Sequence, residues 1–289
     1  MKKSFLYLIF VISLLIISPK NVNAVAINDS AGTPAAICNA GANINAAVNA
    51  NCRATPTAYK TKIYEMGLCI SHPYGAAKTD EVFDISTCTT TYVDASPSLI
   101  DIATSIGGTL TLAGTNSPPA SGTYTYPYIV LDQDFITSGS IVGGSTTYYS
   151  TGTNPPVSTS VGSFAAKTDS LKNFNDENDR CESGSIGSSV IGGTMDGFVA
   201  NSSKTRSTGA DNTGASNYFC NKIGRVVAVL NLTSPVVITS KTTGLSFTFK
   251  LTDYGVNWWD DNGGSNTNAD VPENFSSAPF AGYFTVTGN

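Results

Sequence analysis

The densest run of chemistry-bearing side chains in the sequence is Trp258-Trp259-Asp260-Asp261-Asn262-Gly263-Gly264-Ser265-Asn266-Thr267-Asn268-Ala269-Asp270. Asp260, Asn262, Asn266, Asn268 and Asp270 recur every two or four residues. Oxygen-bearing side chains gathered by a glycine-bent loop are the donors that a hard cation such as calcium takes. The run departs from an EF-hand loop at Gly264, where a third oxygen ligand would stand, and at Val271, which replaces the bidentate glutamate. A solvated Asn/Gly turn is therefore the competing reading. Trp258 and Trp259 offer flat aromatic faces of the kind that stack on pyranose rings. Neighbours in an extended strand face opposite ways, so one tryptophan in the core and one at the edge is expected unless the chain bends there.

His72 is the only histidine, and any histidine-based triad would have to be built around it. It sits in Ser71-His72-Pro73-Tyr74-Gly75, which reads as a turn and predicts an exposed loop residue. The sequence contains no G-x-S-x-G nucleophile elbow, no H-E-x-x-H and no glycine-rich phosphate loop. We therefore expect no catalytic residues and a protein that is not an enzyme. Glycoside hydrolysis by two carboxylates is the one catalysis left open, because it depends on a spatial separation that sequence does not display. No cofactor is implied other than calcium.

The six cysteines are Cys38, Cys52, Cys69, Cys88, Cys181 and Cys220, the even number a disulfide framework requires. None has C-x-x-C spacing and none lies near the histidine in sequence, which disfavours zinc. Six cysteines allow 15 complete pairings. The simplest joins sequence neighbours, Cys38 with Cys52, Cys69 with Cys88 and Cys181 with Cys220.

The oxidising compartment that disulfides need is announced by residues 1–24. Lys2 and Lys3 precede an apolar stretch from Phe5 to Ile17 interrupted by Ser13, Pro19 breaks it, and Val22-Asn23-Ala24 offers small residues to a signal peptidase. The stretch falls short of the roughly 20 residues that span a bilayer, so cleavage is expected rather than retention, with Ala26 as a second cutting point. No later stretch is long enough for a membrane span. The chain is thus expected to be exported to the cell surface or beyond, or to the periplasm. Loss of Lys2, Lys3 and Lys20 leaves 13 basic against 21 acidic residues, moving the net charge from −5 to −8. An acidic surface without a Lys/Arg cluster repels phosphate backbones and anionic lipid head groups, so no nucleic-acid partner is expected.

Only 13% of residues are charged, against roughly 25% in ordinary soluble domains. Thr, Ser, Asn and Gly take their place, and these residues favour strands and the turns between them. Residues 25–56 read as an Ala/Asn-rich N-terminal extension clipped by Cys38 and Cys52. The alternative is an exchangeable strand that completes the sheet of a neighbouring copy. Alternation begins at Tyr59, with a bulge expected where Ile63 and Tyr64 stand side by side. Further strands are expected at Thr89 to Val93, Leu99 to Ala103 and Thr109 to Ala113. Another is expected at Thr123 to Leu131, with Pro127 marking it as an edge strand. Residues 139–220 read as a polar insert with short strand candidates at Val190 to Ile191 and Gly197 to Ala200 and a helical turn at Ala165 to Leu171. Alternation returns at Val226 to Leu230, Val236 to Thr239, Leu245 to Leu251 and Tyr283 to Val286.

Thr55-Pro56, Tyr59, the run Ile63 to Cys69, Asp84-Ile85-Ser86-Thr87-Cys88 and Ser121-Gly122-Thr123-Tyr124-Thr125-Tyr126 resemble a group of uncharacterised exported β-sandwich proteins of marine bacteria. The turn into the Gly122-Thr123-Tyr124 strand is similar to those of transthyretin-like and carboxypeptidase-regulatory-like sandwiches. The resemblance covers about residues 55–135, implies a sandwich fold and carries over no functional residue. Taken together, we expect an all-β, antiparallel sandwich, Ig-like or transthyretin-like, spanning 57–289, with disulfides and long polar loops. Its expected role is structural or adhesive at the cell surface, through self-assembly or surface partners. The alternative is a secreted carbohydrate-binding module or glycan-active protein.

Overall fold

A computed structural model describes residues 11–13, 36–38, 51–143, 145–171, 174, 184–185, 193–207, 223–259, 272–278 and 280–288. Among these the regular elements are strands and three short 3-10 turns. All strand pairs are antiparallel except Ala36–Ile37, which runs parallel to Asn51–Ala54.

The largest layer is a seven-stranded sheet in the order Gly184–Ser185, Gly193–Ala200, Arg225–Leu232, Tyr126–Asp132, Ile63–Cys69, Cys88–Val93, Thr115–Asn116. Its central strands are rich in valine and other β-branched residues and are covered on both faces, which suits a pleated surface with no solvent side. One face contributes Met66, Leu68, Ile129, Leu131, Met195, Val226, Ala228 and Leu230 to the main core. Facing them are Tyr59 and Phe135 from a four-stranded sheet and Leu245, Phe247 and Phe249 from the Gly244–Lys250 strand, which pairs with Ala281–Thr287. Two layers closing on one apolar interior make the protein an antiparallel β-sandwich. A smaller core gathers Cys38, Cys52, Ala54, Ile141, Tyr148, Val256, Trp258 and Phe275.

Register follows the sequence pattern where a face is buried. Glu65 stands opposite Val130 and Ile63 opposite Leu131, so Tyr64 is the extra residue of a bulge at the expected changeover. Leu245, Phe247 and Phe249 are buried on the strand with the clearest alternation. The disulfides Cys38–Cys52 and Cys69–Cys88 form as neighbour pairs. Cys181 and Cys220 lie outside the described residues.

Several expectations are corrected. The Thr123 to Leu131 stretch is two strands, Gly122–Tyr124 and Tyr126–Asp132, and the second is central rather than at an edge. Pro127 is tolerated because pairing with Arg225–Leu232 begins only at Tyr128, so the proline sits where one neighbour is still missing. Residues 139–220 are not merely an insert. They supply the hairpin Ser140–Gly143 with Thr146–Ser150, and the eight-residue strand Gly193–Ala200 belongs to the main sheet. The expected helical turn at Ala165 to Leu171 is instead the strand Lys167–Ser170, which pairs with Asp134–Ser138. The Leu99 to Ala103 strand shortens to Ile100–Asp101, because the Asp101 carboxylate accepts from the Ala103 N–H and caps a 3-10 turn. The 25–56 region joins the fold at Asn51–Ala54, which lies between Ala36–Ile37 and Val256–Trp259 with Cys52 buried.

Within residues 1–24, Val11–Ser13 pairs with Thr109–Thr111 and runs alongside Gly244–Lys250; the rest of that stretch lies outside the described residues. No described helix is long and apolar enough to cross a membrane.

Candidate functional site

The face of the seven-stranded sheet turned away from the main core carries a buried acid, Asp196, and a part-buried one, Glu65. Cross-strand pairing sets Asp196 beside Val229, Val229 beside Tyr128 and Tyr128 beside Gly67. The adjoining row runs from Phe198 through Val227 and Val130 to Glu65. Two acids therefore stand among valines and aromatics.

The connection between Cys69 and Cys88 folds back over this face as a lid. Tyr74 and Phe83 pack edge to face at 5.4 Å, Tyr74 lies 4.3 Å from Phe198, and Phe83 lies 4.9 Å from Tyr128. The tight turn needs Gly75 at φ 75°, since a Cβ there would come 2.2 Å from Oδ2 of Asp80. Gly67 serves the floor, where a Cβ would sit 2.5 Å from the Tyr128 ring. Burial raises the Tyr74 and Tyr128 phenols well above their ordinary range, the nearby Glu65 charge adding to the shift at Tyr128.

Under the lid, two lysines meet the two acids. Lys204 Nζ lies 2.9 Å from Oε1 and 2.7 Å from Oε2 of Glu65, and 4.9 Å from the Phe83 ring centre. The Tyr128 hydroxyl donates to the same carboxylate, as does Thr90 Oγ1 at 3.3 Å. Glu65 is thus fully engaged. Lys78 Nζ approaches Oδ2 of Asp196 to 2.8 Å, and His72 Nε2 lies 3.6 Å from the same oxygen. Burial works to raise the Asp196 carboxyl, but the close approach of His72 and Lys78 outweighs it and holds the group below its ordinary range. Yet neither Asp196 oxygen, nor His72 Nε2, has a partner at hydrogen-bond angles among the described residues.

His72 is buried, correcting the expectation of an exposed turn residue. The turn is real, but the lid carries it into contact with Tyr126 and Phe198, at 5.5 and 5.7 Å between ring centres. Its Nδ1 accepts from the Tyr74 N–H at 3.2 Å, so the ring proton is carried by Nε2, which faces Asp196. Among the described residues neither nitrogen is paired with a serine, threonine or cysteine nucleophile.

The residues singled out in the sequence fall elsewhere. Trp258 is fully buried against Phe275 at 4.7 Å, while Trp259, on the opposite face of the same strand, is half-buried. The Asp260, Asn262, Asn266, Asn268 and Asp270 loop lies outside the described residues. Among the described residues no three His, Cys, Asp or Glu side chains stand close enough to hold a metal ion. Asp196 and Glu65 belong to no motif of the sequence. Their signal was a single acid inside an otherwise apolar strand, Met195-Asp196-Gly197-Phe198 and Tyr64-Glu65-Met66, because a charge at such a position must find a partner.

Comparison with protein-family models, curated proteins and solved structures finds no match to this chain. The functional reading therefore rests on the molecule's own geometry.

Proposed function

We propose that the chain is an exported, non-catalytic structural or adhesive protein that assembles with further copies of itself at the cell surface. The observation that carries this reading is the pairing of Val11–Ser13 with Thr109–Thr111 alongside Gly244–Lys250. These three residues belong to the leader, so its cleavage leaves the Thr109–Thr111 edge open beside an apolar strand. An unpaired edge next to Leu110, Leu112 and Leu245 is a site for strand addition, in which main-chain hydrogen bonds give affinity and alternate side chains give register. The disulfides and the charge-poor surface support an extracellular setting. The buried histidine, whose Nδ1 accepts from the Tyr74 N–H while Nε2 faces Asp196, supports the non-catalytic part of the reading.

Size-exclusion chromatography and negative-stain microscopy of the chain beginning at Val25 test it. Oligomers are expected, and a peptide matching the Phe5 to Ile17 stretch is expected to compete with their formation. A species that remains monomeric in the cell-surface fraction and as purified protein would overturn the proposal. Retention of that monomer on a polysaccharide would favour the carbohydrate-binding alternative.

A further inference from the structure

The geometry points to an intramolecular isopeptide bond between Nζ of Lys78 and Cγ of Asp196, formed by condensation of the two side chains with loss of water. The pair is placed for reaction. Its nitrogen and oxygen are 2.8 Å apart, while Asp196 is 2% exposed and Lys78 38%, so the acid is shielded and the departing water has a way out. Holding two reactants at contact distance turns a bimolecular condensation into a unimolecular one and removes the translational and rotational entropy cost of bringing them together.

The backbone fixes the lysine. Lys78 adopts φ 59°, a conformation rare for a residue with a side chain, and its carbonyl accepts from Arg206 Nη1 at 2.8 Å. Although the ammonium touches Asp196, the contact lacks hydrogen-bond angles, so the carboxylate is approached without being satisfied. Condensation removes that unsatisfied buried charge by converting an ion pair into a neutral amide.

The atoms balance without an outside reagent. An ammonium and a carboxylate together hold the three hydrogens and two oxygens of one amide N–H, one amide carbonyl and one water. A proton passes from Nζ to the carboxylate, and the neutral amine adds to Cγ to form the C–N bond. The C–O bond then breaks, and the hydroxyl leaves as water with a proton taken from the amine nitrogen of the adduct. His72 Nε2–H faces the departing oxygen and stabilises it as a hydrogen-bond donor without losing its proton. His72 is suited to this because the Tyr74 N–H occupies Nδ1 and keeps the proton on the nitrogen facing Asp196.

The second lysine–acid pair serves as an internal control. Glu65 is held by Lys204, Tyr128 and Thr90, a satisfied carboxylate that gains nothing from condensation. The bond at Lys78 ties the lid to Gly193–Ala200, a strand separated from Ile63–Cys69 by two others in the sheet order.

Intact mass spectrometry of the full secreted chain, reduced and denatured, tests the proposal, followed by peptide mapping. The expected result is a chain lighter by one water and a branched peptide joining Lys78 to Asp196, with Lys204 and Glu65 recovered in linear peptides. Lys78→Arg and Asp196→Ala should restore the full mass, and His72→Gln should slow the mass loss at least tenfold after refolding. Recovery of Lys78 and Asp196 only in separate linear peptides from folded wild-type protein overturns the bond. An unchanged rate in a folded His72→Gln chain overturns the role of the histidine.

Discussion

The hydroxyl of Tyr128 donates a 2.5 Å hydrogen bond to Oε1 of Glu65, the carboxylate that Lys204 grips with its ammonium. A phenol, an ammonium and the Thr90 hydroxyl thus converge on one acid in the interior, joining strand Tyr126–Asp132 to Ile63–Cys69 by side chains as well as backbone. Removing one member leaves the others without a counterpart. Lys204→Ala should cost about 2 kcal/mol and Tyr128→Phe about 1 kcal/mol of unfolding free energy. The double variant should lose less than the sum, as read from urea midpoints in a double-mutant cycle.

Gly67→Ala tests the floor of the site. The added methyl would meet the Tyr128 ring at 2.5 Å and the Thr89 carbonyl at 2.7 Å, contacts the sheet cannot relieve without moving a strand. We expect a loss of about 2 kcal/mol, seen as a lower melting temperature with unchanged far-ultraviolet circular dichroism. Full stability in this variant would mean that the ring is not seated over the glycine.

Asp196 sets an acid limit in the Lys78→Arg chain, where the acid remains free to titrate. Its carboxyl is held below the ordinary 3.8, so the folded state favours the ionised form. The corresponding stability is fully present above the unfolded value and is lost as pH falls through the lower folded value. Urea midpoints of Lys78→Arg should fall with acidification below about pH 4, with a shallower fall when Asp196→Asn is added. Parallel curves for the two chains would remove Asp196 as the cause.

Cys38→Ala with Cys52→Ala should loosen the small core that encloses Trp258. The disulfide closes a separation of 14 residues, and its loss should cost about 2–4 kcal/mol. Trp258 fluorescence should shift to longer wavelength as the indole meets water. An unshifted spectrum at equal stability would show that packing around Trp258 and Phe275 holds without the covalent link.

What the sequence disclosed divides by whether a local pattern carried it. The strand at Leu245, Phe247 and Phe249 was legible because one face is buried and alternation of period two records that fact. Gly193–Ala200 was foreseen only in part because six consecutive residues are buried, so no alternation marks it and the glycines read as breakers. Pro127 pointed to an edge because its missing N–H is visible locally, whereas the late start of its second neighbour is not. Lys167–Ser170 took a helical reading because its partner Asp134–Ser138, which fixes it as a strand, is distant in sequence. His72 was misjudged for a related reason. Pro73 and Gly75 disclose a turn, but the aromatic contacts that bury the ring come from Tyr126 and Phe198. The neighbour disulfides Cys38–Cys52 and Cys69–Cys88 needed only short closures, which spacing does report.

The Cys69–Cys88 link joins the two ends of the lid at its base, where the residues face each other across paired strands. Tension applied along the polypeptide passes from one strand to the next through the sulfur atoms and skips the intervening segment. A pull on the chain ends therefore cannot unspool the lid or lengthen the molecule by that segment. The covering over Glu65 and Asp196 lies outside the path of force, and stretching leaves it in place until the sheet itself separates.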